Sequence, residues 1–218
     1  MAANVNRRIV LAARPQGRPT ADHFRLEEAP VPEPGPGQML CRTIYLSLDP
    51  YMRGRMSDAP SYAKPVHVGE VMVGGTVGQV VRSNVDGFAP GDFVVGSGGW
   101  QEYALFGAGE ARKVDPAIAP ISTALGVLGM PGQTAYVGLR EIGRSKAGET
   151  LVVAAASGPV GSVVGQIAKL TGCRVVGIAG SKAKCDYVRG ELGFDTCLDH
   201  HAPDFEDALS ASSKSGAW

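Results

Sequence analysis

The 218-residue sequence has few cysteines, no excess of charge of either sign and no long apolar run. Its 21 Lys and Arg residues balance its 21 Asp and Glu residues without forming a basic block, so neither nucleic acid nor an anionic membrane is an expected partner. No segment is apolar for long enough to span a bilayer, and the first residues lack the apolar core of a signal peptide. We therefore expect a soluble globular protein of the cytoplasm.

The scarce cysteines also exclude a disulfide framework. Their spacing includes no C-x-x-C pair, and the four positions are Cys41, Cys173, Cys185 and Cys197. We expect reduced thiols, with Cys173 and Cys185 half buried, as is usual in the cytoplasm.

The most informative motif that is present runs from residue 151 to residue 179. Residues 151–156 are continuously apolar, which is typical of a strand buried on both faces of a parallel sheet. Apolar residues then recur at helical spacing from Val160 to Leu170, Gly172 stands where that helix would end, and 174–179 is a second apolar strand. Such a unit seats the pyrophosphate of a dinucleotide on a helix N-terminus. An ordinary βα turn is the alternative, and the flanking strand and helix favour the nucleotide.

The glycines of this turn have separate expected roles. Gly158 would let the backbone approach the pyrophosphate, and Gly161 would let the helix pack closely against the strand. Ala156 occupies the position where the first glycine of G-x-G-x-x-G usually falls.

The end of the second strand indicates which dinucleotide is bound. An NAD site usually places a carboxylate there for the ribose 2′-hydroxyl, whereas 179–184 contains none. A small residue, a hydroxyl and two ammonium groups (Gly180, Ser181, Lys182 and Lys184) suit a 2′-phosphate, so we predict NADP(H). Alternatively, Ser181 is only a helix N-cap and the lysines are solvated, which leaves the missing acid unexplained.

The chain changes character near residue 125. The part before it has many short strands with Gly and Pro turns, which predicts a small antiparallel barrel; 66–82 is predicted as two strands broken at Gly74-Gly75. Helical patterns follow, including 133–142. We predict an α/β plus β fold with domains 1–125 and 126–218, the second holding half of a doubly wound sheet.

Several motifs occur in the order found in one known family. They are L-S-L-D-P-Y-M-R-G-R-M at 46–56, G-E-V-M at 69–72, G-W-Q-E-Y at 99–103, the stretch 128–136, and 158–169. With them the sequence resembles the zinc-independent medium-chain dehydrogenase/reductases, in the branch of the NADPH-dependent alkenal/one oxidoreductases (the leukotriene B4 12-hydroxydehydrogenase, prostaglandin reductase and curcumin reductase family). The resemblance implies a GroES-like β-barrel catalytic domain, then a Rossmann domain. Because family members continue through the second half of the sheet, we expect a C-terminally truncated member.

The family chemistry is hydride transfer to the β-carbon of an α,β-unsaturated aldehyde or ketone. The resulting enolate needs hydrogen-bond donors. Tyr51 matches the family tyrosine and is the expected catalytic residue, with a core tyrosine as the alternative. Arg53 is expected either to have a positioning role or face a phosphate, or to form a structural ion pair.

The resemblance also implies the cofactor contacts. Met130 and Thr134 would lie beside the nicotinamide, and Lys184 would bind the 2′-phosphate. The pyrophosphate would rest on Gly158, Pro159, Val160 and Gly161. His200 stands where the mammalian members have a tyrosine on that phosphate; an exposed loop residue is the alternative.

No metal site is expected. The zinc enzymes of this superfamily use a cysteine, a His-Glu pair and a four-cysteine lobe, whereas Val68 precedes Gly69-Glu70 here. The expected partner is a small enone or enal. Quinone reduction and a catalytically impaired NADP-binding fragment are the competing functions, and a homo-oligomer is left open because the absent half of the sheet usually supplies the dimer edge.

Overall fold

The computed structural model describes residues 5–213. The chain divides into two compact units, an N-terminal unit that ends at Leu125 and a C-terminal unit that begins at Gly126. In the residues described, no helix is both long and apolar enough to cross a membrane.

The N-terminal unit is built mainly from antiparallel strands. Their bounds are β1 Val5–Leu11, β2 Phe24–Pro30, β3 Gln38–Leu46, β4 Thr76–Ser83, β5 Phe93–Gly96, β6 Tyr103–Gly107 and β7 Ala111–Val114. Strands β1 and β2 pair with each other, and the other five form a barrel-like sheet in the order β6-β3-β4-β5-β7. The short helix α1, Tyr51–Arg55, follows β3.

Two apolar clusters fill this unit. One lies on the five-stranded sheet and centres on Met39, Cys41 and Val94. The other gathers Leu11, Met52, Met56, Val66 and Met72 around α1, with Tyr51 packed against it. Helix α1 is thus fixed to the core through Met52 and Met56.

One predicted strand of this unit is wrong. Of the two strands predicted in 66–82, the structure contains β4, whereas the residues before Gly74 make only an isolated bridge between Val10 and Val71. The backbone bonds from Gly69 to Met72 go mainly to β1, since Gly69 donates to Leu11, Glu70 accepts from Leu11 and Met72 donates to Ile9, while the carbonyl of Met72 accepts from Trp100. The pairing of this segment with β1 extends only over Ile9 to Leu11, so it is an isolated bridge and not a ladder.

The C-terminal unit is a parallel three-stranded sheet with helices. Its elements are α2 Met130–Val137, β8 Thr150–Val153, α3 Gly161–Leu170, β9 Arg174–Ala179, α4 Lys182–Gly190, β10 Thr196–Asp199 and α5 Phe205–Ser213. The strand order is β10-β9-β8. A π-helical turn, Gly138–Gly143, follows α2 without a break, so the helix predicted for 133–142 is present and changes from α to π at Gly138.

The core of this unit lies between the sheet and its helices. Val153, Ala156, Ala168, Val175 and Val188 are buried together. Phe194 presses so closely on α3 that a Cβ at Gly165 would lie 1.8 Å from the ring. Helix α3 is therefore packed directly against Phe194 and the core of this unit.

All four cysteines are free thiols. Cys173 and Cys185 are 3% and 5% exposed, so they are more deeply buried than the half-buried state predicted for them.

Candidate functional site

The turn between β8 and α3 is tighter than the sequence indicates. Strand β8 ends at Val153, not at 156, because Ala155 takes a left-handed backbone conformation with φ 48°. The amide of Gly158 donates to the carbonyl oxygen of Ala155 at 2.8 Å and closes the turn. A Cβ at Gly161 would lie 2.5 Å from that same oxygen. Only glycine lets α3 begin at this distance from the strand.

This turn leaves backbone donors available. In the described part of the chain, the amides of Val160 and Gly161 donate to no protein acceptor, and Pro159 has no N–H. Helix α3 begins at Gly161, so both amides lie at the positive end of its dipole. These residues fit a pyrophosphate, for which free amides at a helix N-terminus are the usual ligands.

The residues after β9 form a second group at the same edge of the sheet. Ser181 caps α4 by accepting the Lys184 amide at 3.3 Å, so the N-cap alternative for Ser181 holds. Capping uses an acceptor site of the hydroxyl and leaves its O–H able to donate.

The two lysines of this segment differ. Lys182 Nζ lies 2.6 Å from Asp186, which also pairs with Arg189. Lys184 makes no ion pair with any described residue and is exposed. A ligand phosphate at this place would therefore meet Lys184 as an uncommitted cation, whereas Lys182 is already paired with Asp186.

His200 is exposed, but its ring is held in place. Its Nδ1 lies 2.9 Å from the carbonyl oxygen of Ala179, and its ring lies 4.1 Å from that of His201, centroid to centroid. A Cβ at Gly180 would be 2.9 Å from its Cε1. The imidazole therefore covers Gly180 at the end of β9, beside the residues of the predicted 2′-phosphate site.

Met130 and Thr134 share one face of α2. Thr134 Oγ1 donates to the Met130 carbonyl at 2.8 Å and lies 3.5 Å from its sulfur. Helix α2 approaches the preceding loop so closely that a Cβ at Gly132 would lie 1.8 Å from the Val127 carbonyl oxygen. These contacts fix the backbone of the first turn of α2, from which the half-exposed Met130 side chain extends.

Tyr51 is placed by the Asp49-Pro50 turn that begins α1. The Met52 amide donates to the Asp49 carbonyl at 3.1 Å. The Tyr51 ring packs on the apolar cluster around α1, and its hydroxyl makes no hydrogen bond within residues 5–213. Burial raises the pKa of Tyr51, Asp49 raises it further, Arg55 lowers it and Tyr62 raises it. A half-buried phenol without a protein partner can donate to a ligand.

Arg53 does not form the ion pair that was one of its two expected roles, as far as the described residues show. Its Nε and Nη2 donate to the Gly17 carbonyl at 3.1 and 2.9 Å, and Nη2 also donates to the Pro15 carbonyl at 3.1 Å. The guanidinium thus fastens the turn around Gly17 through backbone oxygens instead of a carboxylate.

Sequence reasoning overlooked Arg55. Its Nε is buried and has no partner among the described atoms. The only signal in the sequence is its position four residues after Tyr51, on the same face of any helix that starts after Pro50.

Among the described residues, no three His, Cys, Asp or Glu side chains are grouped closely enough to hold a metal ion.

Together, the glycine turn, the free amides and a barrel-like unit before the parallel sheet define a class: two-domain oxidoreductases that bind a dinucleotide. The comparisons with known proteins agree. A family model described as the N-terminal domain of oxidoreductase matches residues 7–114, and one described as zinc-binding dehydrogenase matches residues 159–217. The chain belongs to the medium-chain dehydrogenase/reductase family and is by family an oxidoreductase.

Similar proteins indicate which branch of the family the chain resembles. The NADPH-dependent curcumin reductase of Escherichia coli is 58% identical over 211 residues, which cover 97% of this chain and 61% of that protein. Prostaglandin reductase 1 of Rattus norvegicus is 42% identical over 205 residues, 92% of this chain and 60% of that protein. The crystal structure of CurA in complex with NADPH from Vibrio vulnificus has a TM-score of 0.90 at 57% identity, covering 94% of this chain and 61% of that one. This chain spans about three fifths of the length of these relatives.

Proposed function

We propose that this chain carries the cofactor site and a catalytic tyrosine of an NADPH-dependent reductase acting on the carbon–carbon double bond of α,β-unsaturated aldehydes and ketones. The C-terminal unit is the NADP-binding domain, and the N-terminal unit is the catalytic domain. Relatives named as NADPH-dependent curcumin reductase and as NADP(+)-dependent 2-alkenal reductase support the proposal.

The observation that carries the cofactor assignment is the uncommitted Lys184 at the end of β9. The 2′-phosphate is what distinguishes NADPH from NADH, and it requires positive charge and hydrogen-bond donors. Lys184 supplies the charge, the Ser181 hydroxyl supplies a donor, and His200 closes the site over Gly180. Residues 179–185 contain no carboxylate that would repel the phosphate.

NADPH, when bound, supplies the hydride that reduces the β-carbon. The balanced reaction joins the enone, NADPH and one proton to give the saturated ketone and NADP⁺. Met130 and Thr134 would position the nicotinamide, and the amides of Val160 and Gly161 would bind the pyrophosphate.

Tyr51 would act on the substrate oxygen. As negative charge develops on the enolate, its hydroxyl donates a hydrogen bond or gives up its proton, which the α-carbon finally receives. Stabilising such an oxyanion is among the largest single contributions to catalysis. The unpartnered hydroxyl supports this role, because a phenol already bonded within the core would have no proton to offer.

The four free thiols support the cytoplasm as the compartment, where thiols stay reduced.

The test is NADPH consumption by the 218-residue chain with an open-chain enone such as 3-penten-2-one, with the product identified by mass. We expect the saturated ketone, faster turnover with NADPH than with NADH, and a loss of about 100-fold in kcat in Tyr51→Phe with unchanged NADPH affinity. A folded chain that binds NADPH and forms no saturated product would contradict the activity. A Tyr51→Phe variant with full turnover would assign Tyr51 to the core alone.

A further inference from the structure

Arg55 ends the same short helix that Tyr51 begins. Residues four apart on a helix lie one above the other, so the two side chains leave α1 on one face. The backbone at Arg55 is held from outside the helix, because its carbonyl accepts the Val66 amide at 2.8 Å. The backbone position from which the Arg55 side chain extends is therefore fixed, like that of Tyr51.

The guanidinium of Arg55 is uncommitted. Its Nε is buried without a hydrogen-bond partner, and Arg55 forms no ion pair with a described residue. Other arginines around α1 are engaged. Arg53 fastens the Gly17 turn, and Arg14 donates to the Met56 carbonyl at 2.9 Å and lies 3.5 Å from Asp58. A guanidinium whose Nε is buried and unbonded destabilises the fold, so its presence calls for another explanation.

Tyr51 provides that explanation. Burial, Asp49 and Tyr62 all disfavour the ionised phenol, and Arg55 is the group that favours it. A half-buried phenol that gives up its proton becomes an anion with less solvation than in water, where a nearby positive charge stabilises it more than it would in bulk solvent.

We propose that Arg55 is a positioning residue for Tyr51, whose unpaired guanidinium stabilises the negative charge that the phenol acquires as its proton passes to the enolate. The inference rests on the proposed function. The proton leaves the Tyr51 oxygen, the enolate accepts it, and the phenolate then recovers a proton from water. Pairing Arg55 with a carboxylate would cancel this effect, which is why its freedom matters.

The coupling can be measured without cofactor or substrate. The full chain is labelled with 3-fluorotyrosine, the Tyr51 resonance is assigned by its loss in Tyr51→Phe, and its ¹⁹F shift is followed against pH. Arg55→Met keeps an apolar stem and removes the charge, and Arg55→Gln is a second neutral variant. Both should raise the Tyr51 midpoint by about one pH unit, a tenfold change in the ionisation constant. Arg55→Lys, which keeps the positive charge, should have a Tyr51 midpoint close to that of the parent chain.

The matched control is Arg112→Gln, which removes an exposed arginine on β7 of the same unit. It should leave the Tyr51 midpoint in place. An unchanged midpoint in Arg55→Met and Arg55→Gln would overturn the proposal. Failure of both neutral variants to fold, with Arg55→Lys folded, would also overturn it, because the positive charge at position 55 would then serve the fold.

A double-mutant cycle links the coupling to turnover. Arg55→Met should lower kcat about tenfold without changing NADPH affinity, and it should add no further loss in a Tyr51→Phe background. A raised midpoint without any enone reduction would refute the proposed function and leave the Tyr51–Arg55 coupling standing. An unchanged midpoint with normal turnover would refute only the role of Arg55.

Discussion

The imidazole Nδ1 of His200 lies 2.9 Å from the carbonyl oxygen of Ala179, which also accepts the His200 backbone amide at 3.0 Å. A carbonyl only accepts, so Nδ1 carries the hydrogen, and Nε2 can donate to a phosphate only when it carries a hydrogen as well. The last residue of β9 thereby orients a side chain that follows β10.

Gly180→Ala tests this arrangement. The added Cβ would lie 2.9 Å from His200 Cε1 and displace the ring, whereas Gly190 has open space around its Cβ position. We expect Gly180→Ala to weaken NADPH binding several-fold, to change NADH binding little, and to leave the fold intact. Gly190→Ala is the control. Calorimetric titration of both cofactors measures the effect, and equal weakening for NADPH and NADH would contradict a His200 contact with the 2′-phosphate.

Lys184→Ala should reduce the preference for NADPH over NADH by about tenfold, because a charge-assisted hydrogen bond contributes about 1.5–3 kcal/mol. Lys182→Ala is a close control, since Lys182 is already paired with Asp186. Fluorescence titration of both variants with both cofactors gives the ratio. If the two lysines proved interchangeable, the assignment of Lys184 to the phosphate would be wrong.

Gly161→Ala should destabilise the chain by about 1–3 kcal/mol, because the new methyl group meets the carbonyl oxygen of Ala155 at 2.5 Å. Gly158→Ala should have a smaller effect, since the corresponding distance is 3.1 Å. Urea unfolding followed by circular dichroism gives the free energies of unfolding. An undisturbed Gly161→Ala variant would show that α3 does not need its close approach to the strand.

Stability should fall as the pH rises above about 9. Burial raises the pKa of Cys41 from 9.0 to about 11, and burial with a contact from Cys185 raises that of Cys197 to about 12. Between those values the unfolded chain has lost protons that the folded chain keeps, so the free energy of unfolding decreases with pH. Urea midpoints at pH 8 and pH 10.5 measure this.

The control for this pH dependence is Cys41→Ala, which should have a shallower alkaline decline than the parent chain. An identical decline in both proteins would remove Cys41 as a source.

The parallel half of the fold follows closely from the sequence. The predicted strand 174–179 coincides with β9, and the helix predicted after Val160 ends at Leu170, with Gly172 at φ 84°. A strand buried on both faces must be apolar throughout, and a helix that stops at a left-handed residue favours glycine. Both features can therefore be predicted from the local sequence.

The errors occur where tertiary partners decide the structure. Residues 66–73 resemble a strand, yet their backbone pairing with β1 extends only over Ile9 to Leu11. The four-residue strand β7 is half polar and lies at a sheet edge, so its sequence carries no strand signal.

The candidate site likewise has some features that a sequence motif reveals and others that depend on tertiary contacts. The glycine turn and Lys184 can be found by motif. The hydrogen bond between Ala179 and His200 joins residues that are 21 apart in the sequence. Whether Arg55 Nε has a partner depends on which residues the fold brings near it. Neither relationship has a sequence pattern.

The most direct test of the central claim uses NADPH that carries deuterium at C4 of the nicotinamide, in each of its two stereochemical forms. The 218-residue chain is given an open-chain enone, and the product is analysed by ²H NMR and mass spectrometry. The account predicts a saturated ketone labelled at the β-carbon from one of the two forms. Deuterium at the carbonyl carbon, or no deuterium in any product while the chain binds NADPH, would contradict it.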